Sequence, residues 1–226
     1  MKGHEQSAMS DQNHQDRRPA AGRVTVTRAF ERAGALPEVL RITDLLSEAD
    51  RSFVLDGIAE RIQHFRPSTT LAGGIGYRRS KLLHARTAGI EWFDHLLDSL
   101  IPQAVSGLGI KSFAVARTVV QCTWHGDGDY YRIHNDNGMK QVGGRVLSFV
   151  YYAHREPRGF TGGELVFYEY GADRADLASS RQLAIEPLGN SIVFFPSDAE
   201  HEVKQVTCAS PKITAGRVTL NGWVSQ

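Results

Sequence analysis

The chain has 226 residues, of which 41% are apolar and 23% are charged, and its formal net charge is +1. This size and balance predict one globular domain with a sizeable core, and they argue against a protein that binds nucleic acid or a membrane surface. No apolar run is long enough to span a bilayer. The two cysteines, Cys122 and Cys208, have no metal-binding spacing, so we expect buried, reduced thiols and a cytoplasmic location.

The chain begins with about 22 polar residues that contain no signal-peptide core. Few large apolar side chains occur there, and we expect residues 1–22 to be a disordered tail or a leader. The first β-branched pattern, at residues 24–27, predicts a short strand. Residues 23–226 are then expected to form the single domain.

Two stretches in the first half of the chain place apolar residues near helical spacing. They run from Leu45 to Gln63 and from Ile90 to Val105, and they predict two helices. Pro102 is expected to weaken the end of the second helix. We therefore expect a helical support over about residues 44–106.

The pattern of residue types changes after Gly109. Short runs rich in β-branched and aromatic residues follow, and clusters of Gly, Pro, Asn and Asp separate them. This pattern is typical of a β-sandwich or barrel and not of alternating βαβ units. We predict a mainly β fold with N-terminal helices, in which the β core covers about residues 110–226.

A candidate metal site begins in the stretch YYRIHND, which contains His134 and Asp136. On a strand these two side chains would share one face and could offer an imidazole nitrogen and a carboxylate to one ion. Such a pair also occurs by chance on protein surfaces. His201 follows an apolar strand and a Pro-Ser-Asp turn, from which it could reach the same cavity or be an ordinary half-buried histidine. Together the three suit iron(II), although zinc accepts the same ligands.

Arg217 begins the last predicted strand, in GRVTLNGWV, and shares a face with Thr219 and Asn221. An arginine inside a barrel is costly unless it meets an anion, and its planar group can bind a carboxylate through two hydrogen bonds. A 2-oxo acid that chelates iron would leave a second carboxylate for this arginine, whereas a hydrolytic zinc site has no such need. The alternative is an outward arginine in a surface ion pair.

The region from about residue 118 to 224 resembles the catalytic core of the prolyl 4-hydroxylase-like branch of the 2-oxoglutarate/iron(II) oxygenases. The matching stretches, in family order, are QCTWHGDGDYYRIHNDN, RVLSFVYYAHREP, FTGGELVFY, SIVFFPSDAEHEV and GRVTLNGWV. The resemblance implies a double-stranded β-helix of the jelly-roll, cupin-like type. It also implies that His134, Asp136 and His201 are the catalytic iron ligands, that Arg217 binds 2-oxoglutarate, and that Tyr152 helps to hold its carboxylate.

Two features depart from the family pattern. Trp124 stands where relatives often have a tyrosine that contacts 2-oxoglutarate. The stretch TCASPKITAG before Arg217 is longer than usual and makes Lys212 a rival carboxylate anchor. We prefer Arg217, because its strand context matches the family block. His125 and His154 are interpreted as loop histidines.

The resemblance implies a dioxygenase that uses O₂, converts 2-oxoglutarate to succinate and CO₂, and hydroxylates an unactivated C–H bond, with ascorbate as a candidate reductant. We expect a small-molecule substrate, such as an amino acid derivative or a natural-product intermediate. A prolyl or other residue of a protein or peptide is the alternative substrate. An alternative of another class is a non-catalytic sensor module that keeps the metal.

The basic run at Arg78 and Arg79 falls in a region that lines the substrate mouth in this family. We expect these residues to contact an acidic group of the substrate, and the alternative is a solvated face. Neither nucleic acid nor a membrane is an expected partner, and the sequence leaves the oligomeric state open.

Overall fold

The computed structural model describes residues 22–27, 35–68, 76–137, 144–172 and 175–226. The tail predicted for residues 1–22 therefore lies outside the described residues, except for Gly22. The helices are α1 (Glu48–Ala59) and α2 (Ala88–Gly107). The strands are β1 (Arg23–Thr27), β2 (Val39–Thr43), β3 (Phe65–Pro67), β4 (Arg78–Arg79), β5 (Lys81–Leu83), β6 (Arg117–His125), β7 (Tyr130–His134), β8 (Arg145–Tyr152), β9 (Phe160–Gly162), β10 (Leu165–Tyr168), β11 (Gln182–Ile185), β12 (Ser191–Pro196), β13 (His201–Val203), β14 (Val206–Cys208) and β15 (Arg217–Ser225).

The strands form two main sheets whose pairings are antiparallel. The major sheet has eight strands in the order β1-β2-β12-β8-β15-β6-β5-β3, and the minor sheet has five in the order β11-β10-β13-β7-β4. A short ribbon pairs β14 with β9. Successive strands alternate between the sheets in several places, as in a jelly roll. The prediction of a mainly β fold with N-terminal helices is confirmed.

The central strands of the major sheet are buried on both faces, and β12 shows how its sequence allows this. Ile192 and Phe194 join the core beneath the helices, whereas Val193 and Phe195 join the core between the two sheets. Because successive side chains of a strand point to opposite faces, a continuous apolar run serves both cores at once. The helices therefore cover the outside of the major sheet and leave its inner face to the barrel interior.

The two helices begin where a hydroxyl side chain caps them. Ser47 Oγ accepts from the Asp50 N–H at 3.2 Å, and Thr87 Oγ1 accepts from the Ile90 N–H at 3.1 Å. Pro102 lies inside α2, which continues to Gly107. The buried apolar face of α2 continues past the proline and offsets the backbone hydrogen bond that proline removes.

The predicted helical support over residues 44–106 is interrupted by strands. Between the helices the chain returns to the barrel, where β3 and β5 extend the edge of the major sheet and β4 pairs with β7 of the minor sheet. Strands of two or three residues are too short to show a period of two, so the sequence pattern does not reveal them. The β4–β7 pairing places Arg78 opposite Tyr131, next to the candidate site.

In the described ranges, neither helix combines the length and the apolar character needed to cross a membrane. Both cysteines are free thiols, with Cys122 buried and Cys208 half-buried. Burial raises the pKa of the Cys122 thiol.

Candidate active site

His134 and His201 lie side by side on neighbouring strands of the minor sheet. His134 ends β7, His201 begins β13, and the antiparallel register places them directly opposite each other. Their ring centroids are 4.2 Å apart, and both side chains are buried. Phe195 packs edge-on against His201 at 4.9 Å and restricts its ring. Sheet register thus brings together two histidines that are far apart in sequence.

Asp136 reaches the same point from a bend that follows β7, and not from the strand itself. The Asp136 N–H donates to the Ser197 carbonyl at 2.9 Å, and the Arg145 side chain donates to the Asp136 carbonyl at 3.1 Å. Ser148 Oγ donates to Asp136 Oδ2 at 2.7 Å. The two-residue spacing from His134 predicts the grouping, but contacts with distant segments hold the carboxylate in place.

The three side chains present one ligand atom each to a common space. Asp136 Oδ1 lies 3.9 Å from His134 Nε2, and Oδ2 lies 3.8 Å from His201 Nε2; all three ligand atoms are within 4.8 Å of one another. Each histidine Nδ1 bonds a backbone oxygen, that of Arg132 at 2.7 Å and that of Ala199 at 2.9 Å. These bonds place the ring protons on Nδ1 and leave both Nε2 lone pairs free for a metal.

Burial sets the protonation state of the group. Burial, together with the neighbouring His201, lowers the pKa of His134 to about 3. Burial alone would raise the pKa of Asp136, but the two histidines and the Ser148 hydrogen bond hold it below its usual value. At neutral pH the donor set therefore includes a neutral imidazole at His134 and an ionised carboxylate, which is the form that metal binding requires. Two imidazoles and one carboxylate suit iron(II), and zinc remains chemically possible.

Arg217 is a buried cation that forms no ion pair with a carboxylate among the described residues. It begins β15, and its side chain is 1% exposed. Its Nε donates to the Gly163 carbonyl at 2.9 Å, while Nη2 has no hydrogen-bond partner among the described residues. Burial lowers its pKa, and nearby Tyr152 and Glu164 oppose that shift. Because an unpaired buried guanidinium is costly, this residue fits the carboxylate of a bound ligand.

Tyr152 lies against Arg217, whose guanidinium carbon is 5.1 Å from the tyrosine ring centroid. The tyrosine is fully buried, and its hydroxyl also lacks a hydrogen-bond partner within the part of the chain that the structure describes. Tyr152 thus supports the guanidinium from the side of the apolar core between the sheets. Its unpaired hydroxyl is a further donor close to the arginine.

Gly162 and Gly163 explain how the chain can pass so close to Arg217. Both have positive φ, of 71° and 72°, a backbone conformation that glycine adopts readily in tight turns. A Cβ on Gly163 would lie 2.9 Å from Arg217 Cδ. The glycine therefore provides the space that the arginine occupies.

One cavity of about 260 Å³ is lined both by His134, Asp136 and His201, here called the metal group, and by Arg217. Thr123 and His125 of β6 also line it, and Thr219 and Asn221 share the inward face of β15 as predicted. Strand alternation turns Trp124 to the opposite face, where it joins the core beneath the helices. Trp124 is therefore not a cavity residue.

Lys212, the rival anchor, is exposed and directly precedes a 3₁₀ turn at Ile213–Ala215. It does not line the cavity that contains the metal group. The insertion before Arg217 thus lies on the surface and does not change which basic residue faces the cavity.

The interpretation of His125 as a loop histidine is wrong. His125 is the last residue of β6, lies opposite Arg217 in the sheet, and is buried with both ring nitrogens unpaired among the described residues. Burial, Arg217 and Arg78 lower its pKa well below the usual value, so the ring is neutral. His154 does follow a strand in a loop, but it is buried and its Nε2 lies 3.2 Å from the Pro187 carbonyl.

Arg78 and Arg79 are neighbours in sequence with different surroundings. Arg78 lines the cavity, and its guanidinium carbon lies 4.7 Å from the Tyr131 ring centroid. Arg79 points away and forms an ion pair with Asp129 at 3.0 Å. Of the two predicted substrate contacts, only Arg78 faces the site.

Two sequence comparisons relate this chain to known oxygenases and hydroxylases. The sequence profile of the 2OG-Fe(II) oxygenase superfamily matches residues 119–225. An uncharacterized PKHD-type hydroxylase of Synechocystis sp. is 32% identical over 183 residues, which cover 80% of this chain and 60% of that relative. The chain thus spans about three fifths of the length of this curated relative.

Two solved structures show the fold. A prolyl hydroxylase from Trichoplax adhaerens, in complex with a peptide fragment of the hypoxia inducible factor oxygen degradation domain, is 20% identical, with a TM-score of 0.64 and 83% of each chain covered. A non-heme alpha ketoglutarate dependent carbocyclase from nogalamycin biosynthesis is 12% identical, with a TM-score of 0.57 and coverage of 83% of this chain and 79% of the other. Both are similar to this chain in fold.

The match of residues 119–225 to the 2OG-Fe(II) oxygenase superfamily, together with the curated relative, confirms the resemblance found in the sequence blocks. The predicted double-stranded β-helix is confirmed as well. The family implies iron(II), 2-oxoglutarate and O₂. The donor set and the unpaired guanidinium described above fit the first two of these.

Proposed function

We propose that the protein is an iron(II)- and 2-oxoglutarate-dependent dioxygenase that hydroxylates an unactivated C–H bond of a small molecule and releases succinate and CO₂. One observation carries this proposal. A His–Asp–His donor set and a buried arginine with an unpaired Nη2 face the same cavity. A hydrolytic zinc centre would need the first feature but not the second.

In this proposal His134, Asp136 and His201 hold the iron, and Arg217 pairs with the distal carboxylate of 2-oxoglutarate. The loaded metal supplies the oxidising chemistry that protein side chains lack. Tyr152 keeps the guanidinium in place through its ring and offers its hydroxyl to the same carboxylate. This assignment would satisfy two of the buried polar atoms that have no hydrogen-bond partner among the described residues.

The remaining residues of the cavity orient the reactants and keep water away. Ser148 fixes the Asp136 carboxylate, and the two backbone carbonyls fix the histidine rings. Val150, Phe195 and Val203 provide an apolar wall. The neutral imidazole of His125, which lies beside Arg217, can donate a hydrogen bond to the co-substrate without adding charge. A dry, preorganised site of this kind strengthens every polar contact within it.

The volume of the cavity favours a small-molecule substrate, such as an amino acid derivative or a natural-product intermediate. At about 260 Å³ it is slightly smaller than typical ligand pockets, which enclose about 300–1,000 Å³. A prolyl or other residue of a peptide is the second candidate, since the Trichoplax adhaerens protein of similar fold is a prolyl hydroxylase in complex with a peptide fragment. The two free thiols are consistent with a cytoplasmic enzyme, and ascorbate is the reductant to supply in assays.

The test of the co-substrate assignment is anaerobic addition of iron(II) and 2-oxoglutarate, which should produce a visible charge-transfer band. His134→Ala should lose iron binding. Arg217→Ala should need far more 2-oxoglutarate for the band, whereas Lys212→Ala should match the wild type because that residue is outside the cavity. A band that Arg217→Ala leaves unchanged would sink the co-substrate assignment.

The substrate class is tested by succinate formation under O₂ with ascorbate. We expect members of a panel of free and N-modified amino acids to raise succinate above its uncoupled baseline and to gain one oxygen atom by mass spectrometry. Stimulation by prolyl peptides alone would replace the small-molecule proposal with the peptide one. An iron-bound protein that forms no succinate, either with any tested substrate or in its absence, would favour the sensor module.

A further inference from the structure

We propose that Arg78 forms a second anion site in the cavity, distinct from Arg217, and that it binds a carboxylate group of the substrate. This inference rests on the proposed function and makes it more specific. The substrate would be a small carboxylic acid, held with its carboxylate on Arg78 while a C–H bond of the same molecule faces the metal group.

Neighbouring side chains hold Arg78 in one orientation. Its Nε donates to Ser80 Oγ at 2.8 Å, and Ser80 Oγ in turn lies 2.9 Å from Ser68 Oγ. Its guanidinium lies over the ring of Tyr131, which stacks on His134 with ring centroids 3.6 Å apart. The arginine is therefore anchored through Nε and through its flat face, one ring away from a metal-facing histidine.

These anchors leave the outer edge of the guanidinium without a protein partner. In the ranges that the structure describes, neither Nη nitrogen of Arg78 has a hydrogen-bond acceptor, and no carboxylate forms an ion pair with it. Burial lowers the pKa of Arg78, while Tyr131 and Asp136 oppose that shift. Two parallel N–H groups on a fixed plane are the arrangement that a carboxylate accepts.

The charge balance of the cavity supports an anionic ligand at this position. Three arginines line the cavity, and Asp136 is the one acidic residue among the described residues that line it. Iron(II) and the 2-oxoglutarate dianion carry equal and opposite charges, so loading them leaves this imbalance unchanged. Asp136 would be engaged by the metal, and Arg217 by the co-substrate.

Of the two remaining arginines, Arg145 already has partners. Its guanidinium lies 3.8 Å from the Trp223 ring centroid, and it donates to the backbone carbonyl of Asp136. Arg78 differs in that neither of its Nη nitrogens has a hydrogen-bond acceptor among the described residues, whereas Nη1 of Arg145 donates to a carbonyl. A half-buried cation that faces a cavity is expected to be matched by an anionic ligand.

Arg79 provides a matched control in the adjacent position. Its side chain is 65% exposed, it is bridged to Asp129, and it does not line the cavity. Replacing it removes the same charge from the same two-residue strand without changing the cavity. An effect that is specific to the cavity must therefore appear in Arg78→Gln and not in Arg79→Gln.

The experiment uses ¹⁵N-labelled protein loaded with zinc in place of iron and saturated with 2-oxoglutarate. The side-chain Nε–H signals of Arg78 and Arg217 are assigned from Arg78→Gln and Arg217→Gln. Acetate is the probe, and acetamide is its neutral control. We expect the Arg217 signal to move when 2-oxoglutarate is added, and the Arg78 signal to move saturably with roughly millimolar acetate.

Acetamide should leave the Arg78 signal in place. A second readout is the methyl signal of acetate, whose line broadening by the protein should fall at least tenfold in Arg78→Gln but not in Arg79→Gln. If Arg217 responds to 2-oxoglutarate while Arg78 ignores acetate, the second anion site is overturned and the proposed function stands. If Arg217 does not respond to 2-oxoglutarate, the co-substrate assignment fails. The Arg78 response to acetate then still decides the anion site by itself.

Discussion

Replacing Arg217 with methionine should separate the stability of the protein from its affinity for the co-substrate. Arg217 is fully buried, and its Nε donates a hydrogen bond to the Gly163 carbonyl. Losing that bond costs about 1 kcal/mol, but removing an uncompensated buried charge offsets it. We expect the free energy of unfolding of the ligand-free variant to remain within about 1 kcal/mol of the wild type.

The affinity for 2-oxoglutarate should change much more. Truncating one partner of a buried charge pair costs about 2–5 kcal/mol, and a value near 3 kcal/mol raises the Kd about 150-fold. At a ligand concentration of 100 times the wild-type Kd, 2-oxoglutarate stabilises the wild type by about 2.7 kcal/mol. The same concentration should stabilise Arg217→Met by only about 0.3 kcal/mol.

The assay is urea denaturation of zinc-loaded protein with and without 2-oxoglutarate, followed by anaerobic titration of the iron(II) charge-transfer band. Two results would refute the reasoning. One is a variant that unfolds several kcal/mol more easily without ligand, which would mean that Arg217 has a structural anion partner. The other is an unchanged dissociation constant, which would mean that the carboxylate binds elsewhere.

Three further predictions concern the surroundings of the site. Gly163→Ala should weaken 2-oxoglutarate binding by about tenfold, because the new Cβ would lie 2.9 Å from Cδ of the anchoring arginine. The control is Gly171→Ala, which introduces similar positive-φ strain but has no neighbour within 4 Å, so its Kd should be unchanged. Equal affinities in calorimetric titrations would contradict this. Ser148→Ala removes the hydrogen bond to the metal-facing carboxylate and should lower iron affinity by about 10–100-fold. Replacement of another buried serine, Ser191→Ala, should leave iron affinity unchanged. A chelator competition assay that finds equal iron affinities in the two variants counts against a role of Ser148 in positioning Asp136. Burial lowers the pKa of His154 to about 4, below its unfolded value of about 6.5, so its contribution to stability is complete above pH 6.5 and is lost as the pH falls toward 4. The loss should approach about 3 kcal/mol in denaturation curves, and a His154→Gln variant with the same pH dependence would show that other groups are responsible.

Local patterns were sufficient to predict most of the β core. The run NSIVFFP became β12 because its residues are apolar on both faces, and the polar residues of β15 share a face because a strand alternates. The short strands β3, β4 and β5 could not be predicted, because two or three residues show no period and their pairing depends on partners far along the chain.

The sequence by itself determined the chemistry of the site. The order of its blocks predicts that the two histidines and the aspartate hold a metal, and the arginine that begins the last strand predicts a buried carboxylate anchor. Residue type and spacing are local properties, so no tertiary information is needed to recognise them. The structure brings these four side chains to one cavity.

Only the tertiary structure decided which neighbours complete the site. Because side chains alternate along a strand, the sequence predicts that Thr123 and His125 share a face. Only the register with β15 shows that this face is the inner one and that Trp124 is turned away. In the same way, pairing with β7 turns Arg78 inward and leaves Arg79 on Asp129. The absolute direction of a strand face is set by long-range packing, because a shift of one residue would exchange every inward and outward side chain.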